Sequence, residues 1–218
     1  MQGIKGYHEK LFVNFQLSER VPQDNFYRCL KETLDLSYLR NMTKDYYGTE
    51  GQKSIDTVVF FKLMLIGYLE NINSDRKIVE QAGMRIDMLY FLGYDIDEPL
   101  PWHSTLSRTR KLFGEDIFLE LFRNILRKCV EKGMVDGKTQ SVDSAFIKAN
   151  ASMESLVDNE LAHKQLLMAA AAYNLKKLIN FKNIKSVVTT IVKKVATDLR
   201  ELILNEILIH RKMNWQYI

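Results

Sequence analysis

The chain has 218 residues, a formal net charge of +4, 46% hydrophobic side chains and 27% charged side chains. This balance excludes a disordered protein and predicts a globular chain with a sizeable core. The longest apolar run, residues 57–69, contains Lys62 and is shorter than the roughly 20 residues that a membrane-spanning helix needs. Residues 1–10 are polar and lack the apolar segment of a signal peptide, so we predict a cytoplasmic location and no membrane partner.

The positions of cysteine, histidine and charged residues restrict which metal sites, disulfides and charged ligands are possible. Cys29 and Cys129 lie far apart without a CxxC spacing, and the histidines show no ligand spacing, which is typical of a reduced protein without a zinc site. Residues 1–150 carry equal numbers of basic and acidic side chains, so the net positive charge lies in residues 151–218. Residues 161–197 contain lysines but neither aspartate nor glutamate. These lysines either form a surface that binds phosphate or keep the chain soluble.

Sparse proline and glycine predict a mainly α protein, a compact helical bundle at residues 20–133 after an N-terminal extension at 1–19. Apolar spacing predicts helices over 26–36, 56–71, 74–83, 85–93, 105–114 and 115–133. The expected N-terminal caps are Asp24, Ser54 or Asp56, Asn73 or Ser74, and Ser104; the expected helix ends are Gly83, Gly93 and Gly114.

Residues 138–147, KTQSVDSAFI, are the best strand candidate in the chain. A carboxylate in a buried strand costs several kcal/mol unless a partner or a metal compensates. Asp143 is therefore either satisfied locally or a ligand for a cation. Two long helical segments are predicted after it, at 161–181 and 186–212, the first with a continuous Leu/Ala face.

Residues 103–114, HSTLSRTRKLFG, have the size and charge of a recognition helix in a helix-turn-helix, with Arg108, Arg110 and Lys111 as candidate DNA contacts. Residues 74–83 are a weaker candidate of the same kind, with Arg76 and Lys77. An ordinary amphipathic bundle helix with solvated arginines explains either segment as well, and the segment taken alone favours that explanation.

Trp102, Tyr90, Phe91 and Tyr94 form either a stacking platform for bases or part of the core; we expect core packing. The acidic segment YDIDE, residues 94–98, lacks the ligand spacing of a calcium loop, and we expect a solvated loop.

Several motifs occur together over residues 20–156: FYR, YGTEGQ, S-x-R, FLG, HSTLSRTR and D-S-x-x-I-x-A-N-A-S. In this combination the sequence resembles the N-terminal part of bacterial insertion-sequence transposases of the DDE type. The resemblance implies a helical DNA-binding region followed, at residues 134–157, by the first strand of a ribonuclease-H-like domain. It also implies that Asp143 is the first of three acidic residues that hold two Mg²⁺ ions, which clamp the attacking and leaving oxygens of a phosphodiester displacement.

Residues 161–181 resemble the last helix of the same transposases, with its Ala-rich face and N-L-K-K. The acids that follow Asp143, namely Glu154, Asp158 and Glu160, come too soon on one predicted helix to be the remaining ligands. The chain therefore looks like two ends of a transposase joined near residues 157–162, with the C-terminal helices at 158–218. Because one carboxylate cannot position two metals, we expect no productively bound Mg²⁺ and no strand cleavage.

We therefore expect a nucleoid-associated protein of transposase lineage, derived from an enzyme of DNA transposition and recombination, which binds the terminal repeats of its element. The alternative is a regulator that binds element ends or pairs with itself or with full-length transposase through an exposed Leu/Ala face on residues 161–179. A third hypothesis is a non-functional relic that folds poorly.

Overall fold

The computed structural model describes residues 5, 16–48, 54–134, 160–182, 189 and 194. The predicted strand with Asp143, most of the extension at 1–19 and most of the tail after residue 182 lie outside these residues. The chain divides into two units, residues 1–175 and 176–218, and the packing described below is that of the first. Among the described residues, no helix combines the length and apolarity needed to cross a bilayer.

Helices and turns make up the described part of the chain, which contains no strand, so the prediction of a mainly α protein is confirmed. The helices are α1 (Leu17–Arg20), α2 (Phe26–Thr33), α3 (Tyr38–Met42), α4 (Thr57–Leu69), α5 (Asp75–Met84), α6 (Ile86–Leu92), α7 (His103–Leu112), α8 (Glu115–Glu131) and α9 (160–182), with a 3₁₀ turn at Lys44–Tyr46.

Three of the expected helix boundaries are found in the structure, and Ser74 at the N-cap of α5 is the first. The Asp56 carboxylate accepts from the Val58 N–H at 2.6 Å and caps α4. Gly93, with φ of 89°, ends α6 in a left-handed conformation, and the N–H groups of Gly93 and Tyr94 donate to the Leu89 carbonyl. A glycine adopts this conformation without steric cost, which is why a helix commonly ends at one.

Other expected boundaries are wrong. Asn25, not Asp24, caps α2, because its side chain accepts from the N–H groups of the second and third helical residues. Gly83 does not end α5, which continues to Met84. Ser104 lies inside α7, whose first turn forms when the Thr105 N–H donates to the Trp102 carbonyl.

The core is centred on α4, which is apolar all round and has buried side chains on every face. Phe113, in the link between α7 and α8, stacks on Phe61 of α4 with centroids 6.0 Å apart and meets Phe60 edge-on at 5.5 Å. Phe118 of α8 meets Phe61 edge-on at 5.2 Å, and Tyr46 meets Phe113 at 5.5 Å. Offset and edge-on pairs are favoured aromatic geometries, so this cluster ties α8 and the 3₁₀ turn to α4.

The first part of α9, residues 160–175, packs parallel to α8. His163 Nδ1 lies 2.5 Å from Glu115 Oε1 near the start of both helices, and the Cys129 thiol lies 3.9 Å from the Asn174 carbonyl near the end of α8. Lys164 lies over the Phe118 ring at 5.7 Å.

The Leu/Ala face of α9 is buried within this unit rather than exposed. The buried side chains of residues 160–175 are Lys164, Leu167, Met168, Ala171, Ala172 and Leu175. The expectation of an exposed face on residues 161–179 is therefore wrong for this part. The physical reason is that α8 carries a broad apolar stripe, which includes Phe118 and Cys129, and provides α9 with a packing surface.

Two lysines bind the C-terminal carbonyls of α6, which have no partner within the helix. Lys31 donates to the Tyr90 carbonyl at 2.7 Å, and Lys62 donates to the Phe91 carbonyl at 2.5 Å. Burial, together with the nearby Lys31 charge, lowers the pKa of Lys62 to about 8. Burial and the neighbouring Arg28 lower the pKa of Lys31 as well.

The lowered pKa predicts a pH-dependent stability. In the unfolded chain Lys62 keeps its proton up to its ordinary pKa of 10.5, whereas in the folded chain it loses the proton near pH 8. The unfolded state therefore binds more protons between these values, and the contribution of Lys62 to the free energy of unfolding rises with pH across them. Urea unfolding of the wild type and Lys62→Met from about pH 7.5 to about pH 10 should show the wild type gaining stability relative to the variant. Parallel pH curves would contradict this assignment.

Candidate nucleic-acid interface

An ion pair joins the first turn of α5 to the end of α7. The Arg110 guanidinium donates to Asp75 Oδ1 at 2.6 Å and to Oδ2 at 3.3 Å, and the Ser107 hydroxyl donates to Oδ2 at 2.7 Å. The two charged side chains are only 19% and 15% exposed, and Arg110 also contacts the Met64 sulfur of α4 at 3.1 Å. These contacts, called here the Asp75 joint, hold α5 and α7 together beside α4.

Of the predicted DNA contacts, the structure places Arg110 in this joint and the other four in solvent. Arg76, Lys77, Arg108 and Lys111 are exposed, and no carboxylate within the described part of the chain forms an ion pair with them. Arg76 and Lys77 directly follow Asp75 in α5, whereas Arg108 and Lys111 flank Arg110 in α7. The four cations, called here the α5–α7 basic surface, therefore border the joint from both helices.

A second polar network fixes the other end of α5. Glu70, at the end of α4, accepts from the Tyr27 hydroxyl at 2.7 Å and pairs with Arg85 at 3.0 Å. Arg85, between α5 and α6, also pairs with Asp87 at 2.7 Å. Burial would raise the pKa of Asp87, but hydrogen bonds from Arg85 and Asn25 outweigh it and hold that pKa below its ordinary value. Burial and Glu70 raise the pKa of Tyr27, which stays protonated and donates.

The residues around the loop between α6 and α7 do not share one environment. Phe91 is buried and Tyr94 is half-buried, whereas Trp102 is 77% exposed. The Tyr90 ring is half-buried beneath Lys31, at 4.0 Å, and Arg28, at 5.0 Å. The expectation of core packing is right for Phe91 and wrong for Trp102, whose side chain lies in solvent at the N-cap of α7.

The acidic loop is solvated, as expected, with exposed side chains at Asp95, Asp97 and Glu98. No group of His, Cys, Asp and Glu suited to a metal ion occurs among the residues that the structure describes. Asp143, Glu154 and Asp158 lie outside those residues, so Asp143 as a metal ligand stays a prediction.

Comparison with known families supports the transposase resemblance for the region that carries these features. Residues 15–112 match the family model of a transposase domain (DUF772), and the match ends at the last residue of α7. It therefore includes the Asp75 joint and the whole α5–α7 basic surface. Comparisons with curated proteins and with solved structures give no match. The matched domain supports a transposase-related role for the chain.

Sequence reasoning did not find Asp75 and Ser107, because their partners are distant in sequence. One signal was present in α7: Ser107 and Arg110 are three residues apart and lie beside the buried pair Leu106 and Thr109. That spacing directs Arg110 toward the bundle, whereas Arg108 and Lys111 lie toward solvent.

The Asp75 joint should couple the stabilities of α5 and α7. We expect Asp75→Asn and Arg110→Met each to lower the free energy of unfolding by about 2 kcal/mol, because each leaves a largely buried partner unpaired. The double variant should lose clearly less than the sum of both, as measured by urea unfolding. The exposed pair of Arg123 and Glu120, 3.9 Å apart, provides the control and should show almost no coupling. Additive losses at Asp75 and Arg110 would argue against the joint.

Proposed function

We propose that this chain is a transposase-derived DNA-binding protein whose α5–α7 basic surface contacts the phosphates of its element's terminal repeats. The observation that carries the proposal is the set of four exposed cations without carboxylate partners in the described residues, on two helices that the Asp75 joint holds together. These features lie in the region that matches a transposase domain.

The dimensions and chemistry of α7 suit a duplex. Its 10 residues span about 15 Å, and an α-helix fits the major groove of B-DNA, which is about 12 Å wide. All four cations are suited to phosphate: Arg76 and Arg108 present planar guanidinium groups, and Lys77 and Lys111 present compact ammonium charges. The guanidinium of Arg110 is occupied by Asp75 and contributes mainly by holding α7 in place.

Removing cations from this surface should weaken DNA binding more than removing the same charge elsewhere. We compare Arg108→Gln/Lys111→Gln with Arg123→Gln/Arg127→Gln on α8, where both arginines are exposed and lie 3.9 and 4.0 Å from Glu120. Fluorescence anisotropy with a duplex from the DNA that flanks the gene should show about a tenfold or larger loss for the α7 variant. For this variant, the slope of the logarithm of the binding constant against the logarithm of the salt concentration should be smaller in magnitude by about two, because two phosphate contacts are gone.

The α8 variant should bind nearly as well as the wild type, and a scrambled duplex should bind more weakly than the flanking one. Equal losses in the two double variants would show that only net charge matters, and the proposed surface would then be wrong. The free energy of unfolding of each variant, measured in parallel, separates loss of contact from loss of fold.

We also propose that DNA strand cleavage is lost and that the chain is an internally deleted copy of a DDE transposase. A ribonuclease-H-like domain needs on the order of a hundred residues. Only residues 144–159 lie between Asp143 and the start of α9, the helix that resembles the last helix of such transposases. The two further acids that would complete a Mg²⁺ pair with Asp143 cannot come from separate elements in so short a segment.

Incubation of the protein with a supercoiled plasmid that carries the element ends, in Mg²⁺ or Mn²⁺, should therefore yield no nicked product. Asp143→Ala should behave like the wild type, because a single carboxylate does not hold two metals in place. A known nicking enzyme in the same buffer provides the positive control. Mg²⁺-dependent nicking that Asp143→Ala abolishes would overturn the proposal of a missing catalytic centre.

The structure gives little support to the two alternative hypotheses, a regulator and a non-functional relic. A regulator that pairs through an exposed Leu/Ala face is not supported, since that face is buried within residues 160–175. Regulation by occupying element ends needs only the DNA binding proposed above. A poorly folding relic is not favoured either, because the aromatic cluster around α4 and the polar joints of α5 form a closely packed core.

A further inference from the structure

Trp102 and Met84 are the two most exposed large apolar side chains among the described residues, and Trp102 is the aromatic one. Its indole is 77% exposed, although Leu100 two residues earlier packs against the site of Gly83, 3.6 Å from where a Cβ there would lie. A tryptophan usually contributes the largest apolar area of any side chain to a core. Its position in solvent therefore contributes little to folding and indicates a surface that meets a ligand.

The backbone holds Trp102 in a defined position. It follows Pro99 and Pro101, and it occupies the N-cap of α7, where its carbonyl accepts from the Thr105 N–H at 2.9 Å. Its ring meets the His103 ring edge-on, with centroids 6.1 Å apart. An aromatic side chain on such a restricted backbone loses little conformational entropy when it binds.

The charges around Trp102 favour a nucleic acid over an apolar protein partner. Arg108 reaches back along α7, with its Nε 3.4 Å from the carbonyl of Ser104, two residues from Trp102. On the other side along the chain lie the exposed acids Asp95, Asp97 and Glu98. Along the chain the charge thus changes sign at Trp102, which favours the phosphates of a bound strand on the Arg108 side and leaves the bases for the indole.

We propose that Trp102 stacks on an unpaired base of DNA bound to the α5–α7 basic surface, an inference that rests on the proposed function. Bases inside a duplex are covered on both faces by their neighbours. Only a base in a single strand, an overhang or an opened end offers a free face to an indole. Trp102 therefore makes the protein select DNA with unpaired bases beside a duplex.

The test uses the full chain with Trp215→Phe, so that Trp102 is the single tryptophan. The probes are a blunt duplex and the same duplex with a short unpaired overhang. Binding of the overhang probe should quench Trp102 emission more strongly than binding of the blunt one. Trp102→Ala should weaken binding of the overhang probe about tenfold and leave binding of the blunt duplex nearly unchanged, whereas Trp102→Phe should retain most of the affinity.

The possible outcomes distinguish failure of the stacking role of Trp102 from failure of the proposed DNA binding. If the wild type binds neither probe, the proposed DNA binding fails and the stacking role with it. If both probes bind and Trp102→Ala changes neither affinity, or changes both equally, only the stacking role is overturned. Loss of self-association in Trp102→Ala with intact DNA binding would likewise overturn it and identify a protein contact. A thermal melt of each variant should match the wild type, since the indole is exposed.

Discussion

The burial of α4 is the constraint on which the rest of the described unit depends. A 13-residue helix with buried apolar side chains on every face is stable in water only when other elements cover those faces. Helices α3, α5 and α6 and the aromatic side chains of the α7–α8 region provide that cover. The two helices pack closely here: a Cβ at Gly67 would lie 2.6 Å from Ile78 Cδ1 of α5, so a larger residue at this position would displace the Ile78 side chain.

The polar contacts of α5 follow from its position against this apolar axis. A helix that lies on a uniformly apolar neighbour gains area but little directional preference from that contact. Direction comes from its two ends, where the Asp75 joint connects it to α7 and the Glu70–Arg85–Asp87 network connects it to α4 and α6. The charged groups of both networks are at least partly shielded from water. Such ion pairs stabilise a fold only when their geometry is good, so each network favours one orientation of α5.

This arrangement explains how one face can be both rigid and positively charged. Two carboxylates of this region are used within the fold: Asp75 holds Arg110, and Asp87 holds Arg85. Arg76, Lys77, Arg108 and Lys111 are left in solvent on helices whose orientation is fixed by those pairs. The DNA binding that we propose would therefore not require this surface to order its own framework first, and the matched transposase domain ends with the helix that carries half of it.

The sequence by itself determined the helical class, the position of α4 from its apolar run, and local features such as the Asp56 cap and the Gly93 end, because these depend on residues within one or two turns. It also identified the basic residues of α5 and α7 as a group. Only the tertiary structure decided which of these residues form an ion pair within the described part of the chain, because the partner of Arg110 is 35 residues away. Likewise, only the tertiary structure shows that Trp102 is exposed and that the Leu/Ala face of residues 160–175 is buried. The physical reason is that a side chain's exposure and pairing depend on the surface that another element brings to it, which no local spacing contains.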